Sequence, residues 1–261
     1  MAEAHTVTAR RACLAASCGV TISKHGNRAS TSRAGAADVF AALGIPFYAE
    51  PAQIVNSIQQ TRFAFLFAPY FHPALSQVKP LRQAMGIPAL FNLLGPLLNP
   101  CQPTIPMIGV AQPHHLDTFA EVLIRLDIAK AAVFHCCGLD EICTVGPIDI
   151  IYIHQGKAQR CVLEPLDFGF AYCAVDELMG TDAAGNAEHI RQALSGHDNA
   201  LADSMILNAG VANYLFSISA TPAAGIALAK KVHRLGLGFE LLTQLSHQSV
   251  PPSARENSSH A

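Results

Sequence analysis

Short β-rich runs alternate with amphipathic helical patterns along the first half of this chain, and this alternation constrains the fold more than any other feature. The predicted elements follow one another as strand 20–23, helix 32–43, a helix opening at Pro51, strand 63–67, helix 74–85, strand 105–110, helix 113–126 and strand 131–136. Consecutive strands that are joined through helices pair in parallel. The sequence therefore predicts an α/β fold with a mostly parallel central sheet, flanked on both faces by helices.

The second half of the chain has a different pattern. Three short β-rich pieces between 142 and 163, with Gly156 at a turn, predict antiparallel additions at the edge of the sheet. Helical patterns follow at 183–194, 202–216 and 222–235. Residues 246–261 are polar and rich in proline and serine, which predicts a disordered tail after one domain that spans 1–245.

The overall charge argues against two classes of partner. The 261 residues carry a net charge of -2, so no global positive field attracts nucleic acid or an anionic membrane. No apolar run reaches the roughly 18 residues of a membrane-spanning helix. The apolar run at 12–20 follows two arginines and could be part of a signal segment, but a short Ala-rich helix explains it better.

The cysteines indicate a reducing compartment. Eight are present, none of them in a CxxC pair, and their spacing resembles neither a zinc site nor a disulfide framework. We therefore expect reduced thiols and a cytoplasmic location.

A cationic segment directly follows the first predicted strand and leads into a helix. It contains two cations, a glycine, an amide and three hydroxyls in the order Lys24, His25, Gly26, Asn27, Arg28, Ala29, Ser30, Thr31, Ser32. Backbone N–H groups at the start of a helix favour an anion, and lysine and arginine add positive charge. An ordinary polar loop with a capping serine would explain Ser32 alone. The composition therefore predicts a phosphate cradle.

An acidic pair follows another predicted strand. Asp140 and Glu141 belong to the segment 138–141, which follows the run at 131–136, and can supply oxygen ligands to Mg²⁺. Such a pair is also common on solvated turns. Its weight comes from the expectation that it faces the cationic segment across one cleft at the carboxyl edge of the sheet. Arg82 is a third candidate, because its guanidinium can bind a carboxylate through two hydrogen bonds, although a single helix arginine is usually exposed or ion-paired.

Several ordered motifs resemble those of the anthranilate phosphoribosyltransferase family, over about residues 7–245. The segment KHGNRASTSRAGAAD at 24–38 is similar to the family signature KHGNR-x-x-SS-x-SGSAD. Further similar segments are FLFAP at 65–69, HP at 72–73, the stretch 78–86, FNLLGPLLNP at 91–100, GLDEI at 138–142 and LNA at 207–209.

The resemblance implies a fold and a reaction. Family members are homodimers of the nucleoside phosphorylase/phosphoribosyltransferase type, with a small helical domain hinged to an α/β domain, and 74–95 would belong to the hinge and helical part. They transfer phosphoribose from 5-phosphoribosyl-1-diphosphate (PRPP) to the amine of anthranilate during tryptophan synthesis. Lys24 and the segment through Ser32 would bind PRPP, with Lys24 and Arg82 contributing to catalysis.

The resemblance also assigns the acceptor and metal sites. His25, Asn27 and Arg82 would line the anthranilate channel, with Arg82 on the carboxylate. Asp140 and Glu141 would hold Mg²⁺ on the diphosphate, with the Thr8 hydroxyl near the metal. Ala36 stands at a substrate-binding position where many members have serine.

The sequence departs from the family pattern at its start. The family's N-terminal helical segment and GTGGD motif are not found before the Thr8 region. Because the GTGGD backbone should cradle diphosphate, this difference predicts little or no transferase activity for the chain alone. The leading interpretation is a fragment or mis-started reading frame of a transferase. The alternative is a non-catalytic descendant that binds a phosphorylated ligand or a protein partner.

Overall fold

The computed structural model describes residues 12–29, 34–73 and 93–248. Its strands are β1 (Ile22–Gly26), β2 (Phe63–Phe67), β3 (Met107–Gly109), β4 (Lys130–His135), β5 (Ile148–His154) and β6 (Lys157–Leu163). Its α-helices are α1 (Ala12–Ser17), α2 (Ala36–Ala42), α3 (Pro51–Thr61), α4 (Ala68–Phe71), α5 (His115–Arg125), α6 (Val175–Leu178), α7 (Ala183–Leu194), α8 (Ala200–Leu215), α9 (Pro222–Arg234) and α10 (Leu237–Ser246). Two short 3-10 helices lie at Gly95–Leu97 and Pro165–Phe168. The α/β class predicted from the sequence is confirmed.

The described strands form two sheets. β1 and β2 pair in parallel, and the second sheet has the order β3-β4-β5-β6. In the second sheet β3 and β4 are parallel, whereas β5 and β6 are added antiparallel at the edge, as predicted. The expectation of three β-rich pieces between 142 and 163 is wrong, because the structure forms two strands there. The residues between His135 and Ile148 instead reverse the chain between the antiparallel strands β4 and β5.

Strand β4 shows how helices cover both faces of the second sheet. Ala131 and Val133 pack with apolar residues of α5 in one cluster. Ala132 and Phe134 point the other way and join the main core, which contains most of α8. Because neighbouring side chains of a strand point to opposite faces, both faces of β4 are buried, as expected for the interior of an α/β domain.

The main core depends on close contact between α8 and α9. A Cβ atom built at Gly210 would lie 2.3 Å from Ile226 Cγ1, and one built at Gly225 would lie 2.3 Å from the Gly210 carbonyl oxygen. Both positions therefore need glycine. The start of each helix is capped, because Asn199 Oδ1 accepts a hydrogen bond from Ala202 N–H at 2.9 Å and Thr221 Oγ1 accepts one from Ala224 N–H at 3.1 Å.

Several boundaries differ from the sequence prediction. The first strand covers Ile22–Gly26 instead of 20–23, because its parallel partner Phe63–Phe67 continues the pairing to Gly26. Helix α10 was not predicted, and the expected tail from 246 begins inside ordered structure, since Gln248 Oε1 accepts a hydrogen bond from Tyr48 at 2.7 Å. The short helix at 12–17 is confirmed. The predicted helix 74–85 and residues 249–261 lie outside the described residues.

Within the described ranges, no helix combines the length and the apolar character needed to cross a membrane.

Candidate functional site

The end of β1 carries the first part of the cationic segment. Lys24, His25 and Gly26 are strand residues, paired with Phe65, Leu66 and Phe67, and the expectation that they lie in a loop is wrong. The backbone pairing holds them in an extended conformation at the carboxyl end of the strand. The turn proper therefore begins at Asn27.

Gly26 lies where β1 passes close to a neighbouring strand and helix. A Cβ atom built there would lie 3.1 Å from the ring of Phe65 and 3.3 Å from Cβ of Ala36. Ala36 is itself buried, with 8% of its surface exposed. The missing Cβ atom of Gly26 and the small side chain of Ala36 thus let the start of α2 approach the end of β1.

The carboxylate of Asp38, on α2, organises the turn after β1. Its Oδ2 atom accepts hydrogen bonds from Ala29 N–H at 3.0 Å and from Gly35 N–H at 2.9 Å. Its Oδ1 atom accepts one from Arg28 Nη1 at 3.1 Å. Partial burial acts to raise the pKa of Asp38, but these hydrogen bonds and the arginine charge outweigh it, so the pKa lies below its ordinary value. The carboxylate therefore stays ionised at neutral pH.

Backbone contacts tighten the same turn. Ala37 N–H donates to the Asn27 carbonyl oxygen at 3.2 Å, and the Asn27 side chain accepts from Arg28 N–H at 2.8 Å. A Cβ atom built at Gly35 would lie 2.3 Å from the backbone nitrogen of Ala29. Glycine at position 35 is therefore required for the two sides of the turn to meet.

His25 is an uncharged ring beside a second histidine. Its ring centre lies 5.2 Å from that of His72, in an edge-to-face arrangement. Burial, followed by the nearby His72 and Lys24, lowers the pKa of His25 to about 4. The Nε2 atom of His25 is buried and makes no hydrogen bond to the described residues. His25 is thus a neutral imidazole at neutral pH.

Two segments with family-like motifs pack against β1. The Leu98 carbonyl oxygen lies 2.7 Å from His72 Nε2, and Asn99 Nδ2 donates to the Ser23 carbonyl oxygen at 2.9 Å. The HP segment at 72–73 and the end of the FNLLGPLLNP segment therefore meet at the strand that carries Lys24. The motifs that were recognised separately in the sequence are neighbours in the fold.

The acidic loop begins with a tight turn after β4. Cys136 and Leu139 exchange backbone hydrogen bonds at 3.1 and 2.8 Å, and Cys137 and Gly138 both have positive φ, at 48° and 86°. His135 supports this turn, because its Nε2 atom accepts from Gly138 N–H at 3.2 Å while its Nδ1 atom lies 2.8 Å from the Val110 carbonyl oxygen. The turn places Asp140 and Glu141 immediately beyond the carboxyl end of the strand.

The acidic pair is fixed on two sides. A Cβ atom built at Gly109, the last residue of β3, would lie 1.8 Å from the Asp140 carbonyl oxygen, so the loop touches the backbone of the neighbouring strand. On the other side, Asn208 Nδ2 on α8 donates to the Ile142 carbonyl oxygen at 2.6 Å. Glu141 is buried, with 1% of its surface exposed, and Asp140 is partly exposed.

The carboxylates of this loop suit one kind of Mg²⁺ site. Among the described residues, no group of three or more histidines, cysteines, aspartates or glutamates could hold a metal ion. The described residues therefore do not by themselves form a closed protein cage for a metal ion. Mg²⁺ commonly binds through one or two carboxylates together with substrate phosphates and water. Asp140 and Glu141 fit that second kind of site.

Five of the predicted site residues lie outside the described residues, so their positions stay predictions: Thr8, Ser30, Thr31, Ser32, Arg82. The structure adds four residues that were not singled out before: Gly35, Asp38, His72, Asn99. All four fall within segments that resemble the family motifs. Their roles depend on contacts with residues distant in sequence, which a motif does not specify.

The chain is similar to several known proteins. A family model described as "Glycosyl transferase family, a/b domain" matches residues 2–238. An anthranilate phosphoribosyltransferase of Chlamydia felis is 39% identical over 243 residues, which cover 93% of this chain and 71% of the relative. One from Lactiplantibacillus plantarum is 38% identical over 244 residues, covering 93% and 72% of the two chains.

Solved structures give the same result. The crystal structure of anthranilate phosphoribosyltransferase from Thermus thermophilus matches with a TM-score of 0.84 at 35% identity, covering 94% of this chain and 73% of that one. The Saccharomyces cerevisiae enzyme in complex with PRPP and Mg matches with a TM-score of 0.81 at 26% identity, covering 93% and 69%. The chain belongs to the anthranilate phosphoribosyltransferase family.

Proposed function

We propose that this chain transfers phosphoribose from PRPP to the amine of anthranilate, which gives N-(5-phosphoribosyl)anthranilate and diphosphate in tryptophan biosynthesis. The observation that carries the proposal is the ordered cationic turn at the end of β1, held by Asp38 and packed against the other family-like segments. The names of the relatives support the same reaction and give no support to a non-catalytic role.

The turn after β1 binds the diphosphate of PRPP in this proposal. Lys24 supplies positive charge at the end of the strand, and the segment through Ser32 adds hydroxyl and backbone donors. Arg28 adds to the positive potential while Asp38 holds its guanidinium in place. As diphosphate leaves, C1 of ribose becomes oxocarbenium-like and negative charge grows on the leaving group. A fixed lysine stabilises that charge more in the transition state than in the ground state.

The acidic loop is the second half of the proposed site. In this proposal Asp140 and Glu141 line the same cleft as the turn at 24–29, and their carboxylates would hold Mg²⁺ on the diphosphate. The chemistry that Mg²⁺ supplies when bound is neutralisation of the charge on the departing diphosphate. The contacts of the loop with Gly109 and Asn208 keep the two carboxylates in position before the substrate arrives.

His25, Asn27 and Arg82 orient anthranilate. The amine of anthranilate is neutral at pH 7, so the reaction does not require a strong general base. An imidazole whose pKa is lowered to about 4 is suited to this task, because it offers a hydrogen bond without a charge. Arg82 binds the anthranilate carboxylate, and correct placement of the amine supplies much of the remaining rate.

The proposed location, oligomeric state and partners are those of the family. The protein acts in the cytoplasm, as a homodimer, on small-molecule substrates, without nucleic acid or membrane as a partner. The net charge of -2 is consistent with the last point.

The direct test follows the fluorescence of anthranilate in the presence of the purified chain. Fluorescence should fall only when both PRPP and Mg²⁺ are added, and mass spectrometry should detect N-(5-phosphoribosyl)anthranilate. The rate of that fall also tests the sequence-based prediction that the chain alone has little or no transferase activity. Calorimetry with Mg²⁺ and PRPP separates the alternatives. A chain that binds PRPP but produces no product would be a binding protein, and a chain that neither binds nor reacts would exclude both functions.

A further inference from the structure

We propose that Asp38 is a positioning residue for this reaction: its carboxylate sets the conformation of the turn that holds the diphosphate of PRPP. The inference rests on the proposed function, and it assigns a role to a residue that does not itself contact the reacting atoms. Asp38 would hold Lys24 and Asn27, which contact the substrates, in position.

The carboxylate joins the last residue of the turn at 24–29 to the start of α2. One oxygen, Oδ2, accepts hydrogen bonds from the backbone of Ala29 and from the backbone of Gly35, at 3.0 and 2.9 Å. Both residues therefore converge on a single atom. A carboxylate that accepts from two backbone N–H groups is a strong acceptor, because the hydrogen bonds are charge-assisted.

Helix capping alone does not explain this arrangement. A residue at the third position of a helix commonly accepts a hydrogen bond from the backbone N–H three residues earlier, and the contact with Gly35 is of this kind. The contacts with Ala29 and Arg28 are nine and ten residues away in sequence, on the other side of the turn. They are not part of the capping of α2, and they fix the backbone that follows Lys24 and Asn27.

Asp38 also decides where the Arg28 side chain lies. The guanidinium contacts Asp38 Oδ1 at 3.1 Å and lies 5.8 Å from the centre of the Phe67 ring. Phe67 is the residue that pairs with Gly26 at the end of the two strands. The arginine is thus held against β2 at the base of the turn, and we assign the direct cationic contact with the diphosphate to Lys24.

Two substitutions separate positioning from capping. Asp38→Glu keeps the charge and a residue that is favoured at this helix position, but it moves the carboxylate away from Ala29 and Arg28. Asp38→Asn keeps the size and removes the charge. Both should raise the KM for PRPP by roughly tenfold, the effect of losing a charge-assisted hydrogen bond. The KM for anthranilate should rise less, because the change reaches Asn27 but not His25, which is held by the pairing of β1 with β2.

The matched control is Asp182→Asn. Asp182 caps α7 by accepting a hydrogen bond from Gly185 N–H at 2.8 Å. The substitution therefore removes the charge from a similar helix cap and leaves the turn at 24–29 unchanged. It should leave the KM for PRPP unchanged. A purely structural role for Asp38 would instead lower the active fraction, and hence kcat, with an unchanged KM for PRPP.

Direct binding makes the test independent of turnover. Calorimetry measures the Kd of Mg²⁺-PRPP for the wild type, Asp38→Glu and Asp38→Asn, after circular dichroism has shown which variants are folded. A wild-type chain that binds PRPP, together with a folded Asp38→Glu variant that binds it equally well, would overturn the positioning role alone. A wild-type chain that does not bind PRPP would overturn this inference and the proposed function together.

Discussion

Asn208 and Ile142 are joined across the fold, since the Asn208 side-chain amide donates to the Ile142 carbonyl oxygen at 2.6 Å. The same Nδ2 atom lies 2.6 Å from the Ser204 carbonyl oxygen one helical turn earlier. Ile142 is the residue after Glu141, so α8 holds the end of the acidic loop. This contact connects the LNA and GLDEI segments, which are separated by more than sixty residues in the sequence.

Replacement of Asn208 should therefore affect both stability and activity. Asn208→Ala leaves the buried Ile142 carbonyl oxygen without this donor, which should lower the free energy of unfolding by about 1–3 kcal/mol. The loosened loop should also raise the Mg²⁺ concentration that gives half-maximal turnover. Urea denaturation and a Mg²⁺ titration measure the two effects. The idea fails if Asn208→Ala changes neither.

Removal of the Lys24 charge should mainly reduce catalysis. Lys24→Met keeps an apolar stem at the end of β1, and kcat/KM for PRPP should fall by roughly 100-fold or more, as for the loss of one strong transition-state contact. The control is Lys157→Met, which removes an exposed lysine from the first position of β6. Steady-state assays compare the two variants, and equal activities would exclude Lys24 from the site.

The acidic pair should determine the dependence on Mg²⁺. Asp140→Asn and Glu141→Gln keep the shape of each side chain and remove its charge, so each should shift the Mg²⁺ titration of the transferase to higher concentration. Binding of anthranilate should be unaffected, because that substrate has no diphosphate. The control Asp167→Asn changes an exposed carboxylate on the 3-10 helix at Pro165–Phe168. An unchanged Mg²⁺ titration in both site variants would remove the pair from the metal site.

The lowered pKa of His25 predicts that the free energy of unfolding decreases as the pH falls below 6.5. Its pKa is lowered from 6.5 to about 4 in the folded protein, first by burial and then by His72 and Lys24. The unfolded chain therefore binds a proton at a higher pH than the folded one does. The contribution of His25 to stability is fully present above pH 6.5 and is lost progressively as the pH falls towards 4.

The measurement is the midpoint of urea unfolding between pH 7.5 and 4. His25→Gln, which does not titrate, should lose less stability than the wild type over the interval from about pH 6.5 to 4. His189→Gln provides a control at an exposed position of α7. Identical pH profiles for the wild type and His25→Gln would contradict the assignment.

Much of the architecture is predictable from local sequence. Strand β2, the start of α3 at Pro51 and helix α7 agree with the predicted bounds, because a run of apolar residues, a proline at the first turn and a capping Asp182 are local signals. The extent of β1 is not a local property. Lys24 and His25 are polar, and they belong to the strand because Phe65 and Leu66 supply parallel pairing partners about forty residues later.

In the candidate site, too, some features follow from local sequence and others depend on contacts between distant residues. The cationic segment and the acidic pair are apparent from residue types that follow predicted strands. Asp38 has no such signal, since an aspartate in the first turn of a helix usually serves that helix alone. Only its contacts with Arg28 and Ala29 reveal the second role, and those contacts exist because Gly35 allows the backbone to fold back on itself.

The contact between Gly109 and Asp140 has a consequence for how this sequence can diverge. The backbone of β3 touches the carbonyl group of Asp140. The position of the acidic loop is therefore set by main-chain atoms, and it requires that residue 109 has no Cβ atom. The apolar neighbours Ile108 and Val110 can exchange for other aliphatic residues when the surrounding packing adjusts. Position 109 has no such freedom, and replacement by even an alanine would push the two carboxylates away from the strand ends.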